Sequence, residues 1–202
     1  MSLNLPKSTE INRFVAKTNF YKQTSVTPRL RDLIEQQIDR ITWVNKVSPT
    51  TLNISSKEID EFQSFEIRLK SHELDDAILI FIQKSVPYPI IFMIRGGKGS
   101  RAAAVLRGAK HPIVISTEWQ SGISFELRGN STDTLYINYL LQLSPDFAEA
   151  KGDIDKYIET TRIKRNIDAL SAKSKKETQI NKRQEIARER HELELKLKEL
   201  LS

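Results

Sequence analysis

The sequence lacks cysteine altogether, which excludes disulfide bonds, zinc sites built on thiolates and cysteine nucleophiles. Its 202 residues include only seven glycines and seven prolines, and the segment 153–202 contains neither. No apolar run approaches the roughly 20 residues that a membrane-spanning helix needs. The first residues also lack the charged and then apolar stretches of a secretion signal. We therefore expect a cytoplasmic protein that does not span a membrane.

Positive charge is in moderate excess, with 32 Lys and Arg against 26 Asp and Glu, a formal net charge of +6. A difference of six arises between Arg162 and Arg190 alone, where ten cations face four acids. Such a segment can neutralise phosphates and bind nucleic acid with a steep dependence on salt. A solvated helix face with ion pairs, or a surface for an acidic protein, fits the same pattern. The candidate nucleic-acid-binding residues are Lys173, Lys175, Lys176, Lys182 and Arg183.

Three segments are expected along the chain: an N-terminal arm over 1–26, a globular domain over 27–146 and a C-terminal extension over 153–202. In the arm, Ser8 or Thr9 is a suitable cap for a short helix, which the sequence predicts up to about residue 15.

The globular domain is predicted to begin with a helix, since Thr27 is a preferred N-cap and Pro28 suits the first helical position. Apolar residues then recur at helical spacing as far as Ile41, which predicts one buried helix face. Two short strands are predicted next, at 43–47 and 51–54, on either side of a turn.

The middle of the domain alternates strand and helix signals. Residues 62–70 have an apolar period of two, which predicts a strand, and a helix is predicted over 73–85. A last helix is predicted from Thr132 to just before Pro145. The fold class is therefore α+β, a mixed or antiparallel sheet with flanking helices. The remaining strands are predicted, as an antiparallel meander, at 90–95, 101–107, 112–117 and 123–128.

The extension 153–202 is predicted to be helical, with Asp153 as its N-cap. It fits either a single rod or a helical hairpin whose second arm begins at Ser174, where Ser-Lys-Lys-Glu matches a capping box. Its apolar stripes are too narrow to be stable alone. We expect them to be covered by each other, by a second copy in a coiled coil, or by another protein. The candidate partner-binding residues are Ile186, Leu193, Leu197 and Leu200.

A nuclease-like order of elements supplies the candidate catalytic residues. Helix, three strands, helix and strand is the core order of a class of metal-dependent nucleases, and Glu66 and Arg68 fall on the predicted third strand. Such enzymes need two or more carboxylates to hold Mg²⁺, and the preceding strand at 51–54 supplies none. We therefore favour a hydrated strand face here. The three histidines are too scattered for a metal site, so neither a metal nor a cofactor is expected.

An ordered series of short motifs runs along the chain, at 5–9, 43 with 46–49, 65–67, 87–92, 117–119, 135–136 with 140, and 176–182. With these motifs the chain resembles an uncharacterised prokaryotic family, domain of unknown function 4391, over nearly its full length. The resemblance implies members that occur beside helicases and DNA methyltransferases of restriction or phage-defence type. It implies no catalytic residues.

The resulting expectation is a non-catalytic accessory protein of such a DNA-processing system, which docks a helicase or a methyltransferase through its C-terminal helices. Direct nucleic-acid binding by the basic arm is one alternative, and a divergent or degenerate Mg-dependent nuclease is another. A homodimer formed through the leucine stripe is a further alternative for the oligomeric state.

Overall fold

The computed structural model describes residues 2–70, 72–107 and 112–201. The backbone divides into two compact units, the first ending at Pro145 and the second beginning at Asp146. The chain starts with a 3-10 helix at Lys7–Thr9. Its other elements are β1 (Glu10–Phe14), α1 (Lys17–Gln23), α2 (Pro28–Gln37), β2 (Ile38–Val47), α3 (Pro49–Leu52), β3 (Phe62–Leu69), α4 (Asp76–Lys84), β4 (Ile90–Gly96), β5 (Gly99–Leu106), β6 (Ile113–Ser116), α5 (Thr132–Leu143), α6 (Pro145–Glu149), α7 (Ile154–Lys176) and α8 (Ile180–Leu201).

The six strands form one mixed sheet in the order β1–β2–β3–β4–β5–β6. Neighbouring strands are antiparallel except for β3 and β4, which run parallel because α4 carries the chain back across the sheet between them. The predicted α+β class with a mixed sheet and flanking helices is confirmed. The antiparallel meander is confirmed for β4, β5 and β6.

One face of the sheet packs against α2 and α4. Phe65 and Ile67 of β3 lie in this core together with Ile34 of α2 and Ile78 of α4. None of these four side chains is more than 3% exposed. Burial of each stabilises the fold by about 1.5–3 kcal/mol relative to exposure. Because side chains alternate along a strand, the residues between them point to the other face of the sheet.

That other face is covered over part of its area by α5. The Phe62 ring, at the start of β3, lies 5.6 Å from the ring of Tyr136 and 5.9 Å from that of Tyr139. The Tyr139 hydroxyl donates a 2.7 Å hydrogen bond to the carbonyl of Leu3, so α5 holds the N-terminal segment against the sheet unit. Burial raises the pKa of Tyr139 above its ordinary value. Farther along β3, Arg68 is exposed, so this half of the face is open.

The second unit contains a helical hairpin, in which α7 and α8 pack along each other and residues 177–179 connect them. Asp153 caps α7 as predicted, since its side chain accepts a 2.9 Å hydrogen bond from the backbone N–H of Lys156. Ile163 on α7 and Ile186 on α8 are 2% and 5% exposed. The hairpin alternative is therefore confirmed and the single rod is wrong.

The second arm of the hairpin does not begin where the capping box predicted. Ser174 lies inside α7, and α8 begins at Ile180. The backbone N–H of Glu177 still donates to the carbonyl of Lys173, which continues the hydrogen bonding of α7 past the predicted break.

The short helix predicted over residues 8–15 is also wrong. Residues Glu10–Phe14 form β1, because they pair with β2 at the edge of the sheet. The helix predicted to reach Ile41 ends at Gln37, and Ile38 and Ile41 belong to β2. Non-local pairing with β3 decides this boundary rather than local apolar spacing.

Two of the predicted strands are absent. The segment predicted as a strand at 51–54 contains the last two residues of α3 and then a turn, and Ser48 and Thr51 form a capping box at the start of that helix. The segment 123–128 contains no strand, and only an isolated bridge joins Ser124 to Ser2. Two strands rather than three therefore lie between α2 and α4, which departs from the nuclease order.

Candidate interaction surfaces

The five candidate nucleic-acid-binding residues come together at the tip of the hairpin. Three of them lie in the last turn of α7 and two in the first turns of α8, on either side of the connection 177–179. All five are exposed. Against these five cations, Glu177 is the one acid between residues 173 and 183, so the tip carries four net positive charges. We call this set the tip cluster: Lys173, Lys175, Lys176, Lys182 and Arg183.

The two helix ends at the tip differ in their electrostatics. Lysines in the last turn of α7 offset the negative end of its dipole, which is favourable. Lys182 and Arg183 instead lie near the positive end of α8, whose first turn contains no acid. A hydrogen bond from the backbone N–H of Gln179 holds the pKa of Glu177 below its usual range. The tip therefore concentrates positive potential that an external anion would offset.

The candidate partner-binding residues of α8 have different surroundings. Ile186 is covered within the chain, whereas Leu193, Leu197 and Leu200 are half-buried. A shallow depression, largely open to solvent and with a volume of about 480 Å³, lies on one face of α8 near its end, and Leu197 contributes to it. We call this surface the α8 groove, and it is lined by Glu194, Leu197, Lys198 and Leu201. Leu201 was missed from the sequence, although its spacing of four from Leu197 places both on one helix face.

An ion pair ties the two arms of the hairpin together. Lys196 Nζ on α8 lies 2.7 Å from Glu159 Oε1 on α7, and Arg162 Nη2 lies 2.7 Å from the other oxygen of the same carboxylate. The hydrogen bond from Lys196 holds the pKa of Glu159 below its usual range. These partly exposed contacts fix the pairing of the arms more than they add stability.

The candidate catalytic residues lie on the open half of the sheet face. Glu66 is partly buried and forms an ion pair with Arg95 on β4, in which Glu66 Oε2 lies 2.8 Å from Arg95 Nε. Arg68 is exposed. Within residues 2–70, 72–107 and 112–201, no group of three or more His, Asp or Glu side chains is arranged to hold a metal ion. Glu66 therefore has an arginine partner here rather than further carboxylates.

Comparison with known proteins gives the family of the chain. A family model described as "Domain of unknown function (DUF4391)" matches residues 3–197. The chain belongs to that family. The DUF4391 match includes residues of both units, those of the sheet and those of the helical hairpin. No curated protein and no solved structure matches the chain. Among the helices that the structure describes, none has both the length and the apolar character needed to cross a membrane.

Proposed function

We propose that this chain is a non-catalytic accessory protein of a DNA-processing system of restriction or phage-defence type. In this proposal its helical hairpin docks a helicase or a DNA methyltransferase. The observation that carries the proposal is the α8 groove, in which Leu197 and Leu201 line an open concave surface. Such a surface offers apolar area for a partner, and its flanking Glu194 and Lys198 can fix the register of that partner.

The test is co-expression with candidate helicases and DNA methyltransferases from the same genome, followed by size-exclusion chromatography with light scattering. We expect a complex that a Leu197→Ser/Leu201→Ser variant loses. The matched control is Ile180→Ser/Leu195→Ser, which changes two exposed apolar residues of the same helix outside the groove. Circular dichroism checks that both variants keep their helices.

Three results would count against docking through the hairpin. One is a complex that survives the groove variant, and another is equal loss in the control variant. The third is normal assembly by a protein that lacks residues 153–202. A homodimer that the groove variant dissociates would instead assign the groove to a second copy of the chain.

A second candidate function is direct nucleic-acid binding by the hairpin, and the tip cluster is the observation that favours it. Five exposed cations on either side of a three-residue connection can contact several phosphates of one strand or duplex. Each neutralised phosphate contributes about −0.9 to the slope of log affinity against log salt for a duplex.

Fluorescence anisotropy with labelled DNA tests this second function. Charge reversal of Lys175, Lys176, Lys182 and Arg183 to Glu is expected to weaken binding and to flatten the salt dependence. The control reverses the same number of exposed cations in the sheet unit: Lys22, Arg29, Lys57 and Lys84. Equal affinity for the tip variant and the unmodified protein would refute a role for the tip cluster.

A further inference from the structure

The open half of the second sheet face contains three arginines in one row. Arg40 of β2 pairs in register with Arg68 of β3, and Arg68 pairs in register with Arg95 of β4. All three are exposed. Since neighbouring strands are spaced by about 4.8 Å, the backbone positions of the three arginines span roughly 10 Å of a sheet surface. We call these residues the arginine row.

The row depends on an irregularity in β2. Ile38 pairs with Leu69 and Arg40 with Arg68, so two steps along β2 match one step along β3. The extra residue, Asp39, is a bulge that lets Ile38 face the core while Arg40 faces the open side. Without the bulge, regular alternation would place both side chains on the same face.

An exposed aromatic ring adjoins the row. Phe14 of β1 pairs in register with Thr42, which puts it on the same face as Arg40. Its side chain is 56% exposed, although the ring lies 5.1 Å from the guanidinium carbon of Arg40. A bulge in β1, where Asn12 has a φ of 48°, sets this register. Asn is among the few side chains that adopt this conformation readily.

One carboxylate lies in the next register row. Glu66 pairs in register with Thr42. It contacts the Nε atom of Arg95, so this contact does not use the two Nη nitrogens of that guanidinium. This ion pair can orient Arg95, while its negative charge opposes an incoming phosphate. The substitution Glu66→Gln therefore has opposite consequences for a phosphate-binding surface and for a catalytic carboxylate.

We propose that the arginine row and Phe14 bind single-stranded nucleic acid, with phosphates on the arginines and a base stacked on the Phe14 ring. Arginines beside an exposed aromatic ring on an open sheet are the combination that single strands use, because unstacked bases can lie flat on the ring. An acidic peptide would use the cations but has no planar base for the ring. This surface belongs to the sheet unit, uses none of the tip cluster and goes beyond the proposed function.

The test measures fluorescence anisotropy of the full-length protein with labelled oligothymidylate, labelled oligouridylate and a labelled duplex. The background protein carries the four charge reversals at the tip, so that binding by the tip and binding by the sheet are separated. The row variant is Arg40→Gln/Arg68→Gln/Arg95→Gln. Its matched control removes three exposed cations elsewhere in the same unit: Lys22→Gln/Arg29→Gln/Lys84→Gln.

We expect the row variant to bind both single strands at least about tenfold more weakly, with a salt slope reduced by roughly two. Phe14→Leu, which keeps an apolar side chain but removes the ring, is expected to cost about five- to a hundredfold. Glu66→Gln is expected to tighten binding by roughly two- to threefold, because it removes a repulsive charge. Thermal melts identify any variant that is unfolded.

Four outcomes would overturn the proposal. They are unchanged affinity in the row variant, an equal loss in its matched control, no effect of Phe14→Leu, and competition by poly-glutamate as effective as by oligothymidylate. The last result would assign the surface to an acidic protein instead. Competition by oligodeoxyuridylate, which differs from oligouridylate only in its sugar, distinguishes DNA from RNA as the ligand. Equal affinity for the tip variant and the unmodified protein would refute the tip cluster and leave this surface intact.

Discussion

The hairpin arms are expected to depend on Ile186 for their pairing. This residue lies on α8 and is 5% exposed within the chain, whereas Leu195 on the same helix is 53% exposed. If the buried contact surface between α7 and α8, which we call the seam, holds the arms together, truncation of Ile186 must destabilise the hairpin far more than truncation of Leu195. The comparison is well matched, because both changes leave alanine in the middle of the same helix.

The magnitude follows from the atoms removed. Ile186→Ala deletes three carbons, which at about 0.8 kcal/mol per buried methylene gives roughly 2.4 kcal/mol. The cavity that remains after incomplete relaxation increases this cost. The better helix propensity of alanine reduces it by a few tenths of a kcal/mol. We expect a loss of about 2–3 kcal/mol in the free energy of opening the hairpin. Leu195→Ala is expected to cost less than about 1 kcal/mol.

Amide hydrogen exchange measures this opening directly. A loss of about 2–3 kcal/mol corresponds to exchange that is roughly 30- to 150-fold faster along α7 and α8. Amides of β3, whose core does not include Ile186, should keep their protection. Equal acceleration by the two alanine variants, or none by Ile186→Ala, would refute the conclusion that the chain covers its own seam.

Two further predictions concern the sheet unit. Burial alone would raise the pKa of Asp133, but three backbone N–H groups of the segment 57–59 donate hydrogen bonds of 2.8–3.0 Å and hold it below 3.8. Asp133→Asn should therefore lower the free energy of unfolding by about 1.5–3 kcal/mol at neutral pH. The depressed pKa of Asp133 contributes stability above pH 3.8, so the difference in stability between the protein and its Asp133→Asn variant should shrink as the pH falls through the pKa of Asp133 in the folded protein. A difference in urea melts that does not change with pH would contradict this. Tyr139→Phe should cost about 1–3 kcal/mol, because the buried Leu3 carbonyl loses its donor, and a neutral effect in the same melts would contradict that.

Local signals predicted several elements of this fold correctly. Thr27 accepts a hydrogen bond from the backbone N–H of Leu30, and Pro28 occupies the first helical position, so α2 begins where its caps indicate. The alternation of apolar and polar residues over 62–70 predicted β3 with bounds that differ from the observed ones by one residue. These elements were predictable because the capping residues and the spacing of apolar residues that determine them lie within a few consecutive positions.

Ile38 and Ile41 show why the end of α2 was not predictable. Their spacing of three is typical of one helix face, and the two residues do share a face. They share it as strand residues, because the bulge at Asp39 shifts the alternation of β2 by one position. A helical apolar period thus arises within a strand, and only the pairing with β3 distinguishes the two structures.

The same limit applies to the candidate surfaces. The tip cluster was predictable because charge density is a local property, and the chain reversal at 177–179 then joins its two halves. The arginine row was not predictable as a whole. Arg40 and Arg68 are 28 positions apart and Arg68 and Arg95 are 27 positions apart, and their alignment needs a bulge and a parallel pairing. Arg68 was considered from the sequence as a catalytic candidate, which is a different role.

The position of the hairpin turn links the fold of the second unit to its proposed contacts. A second arm beginning at Ser174 would have placed Lys175 and Lys176 in the first turn of that arm, near the positive end of its dipole, where cations are unfavourable. Continuation of α7 to Lys176 puts them at the negative end of a helix instead. The capping box at Ser174 is worth only about 1 kcal/mol, less than the roughly 1.5–3 kcal/mol that burial of either Ile163 or Ile186 contributes. The turn at 177–179 therefore sets where the tip cluster lies.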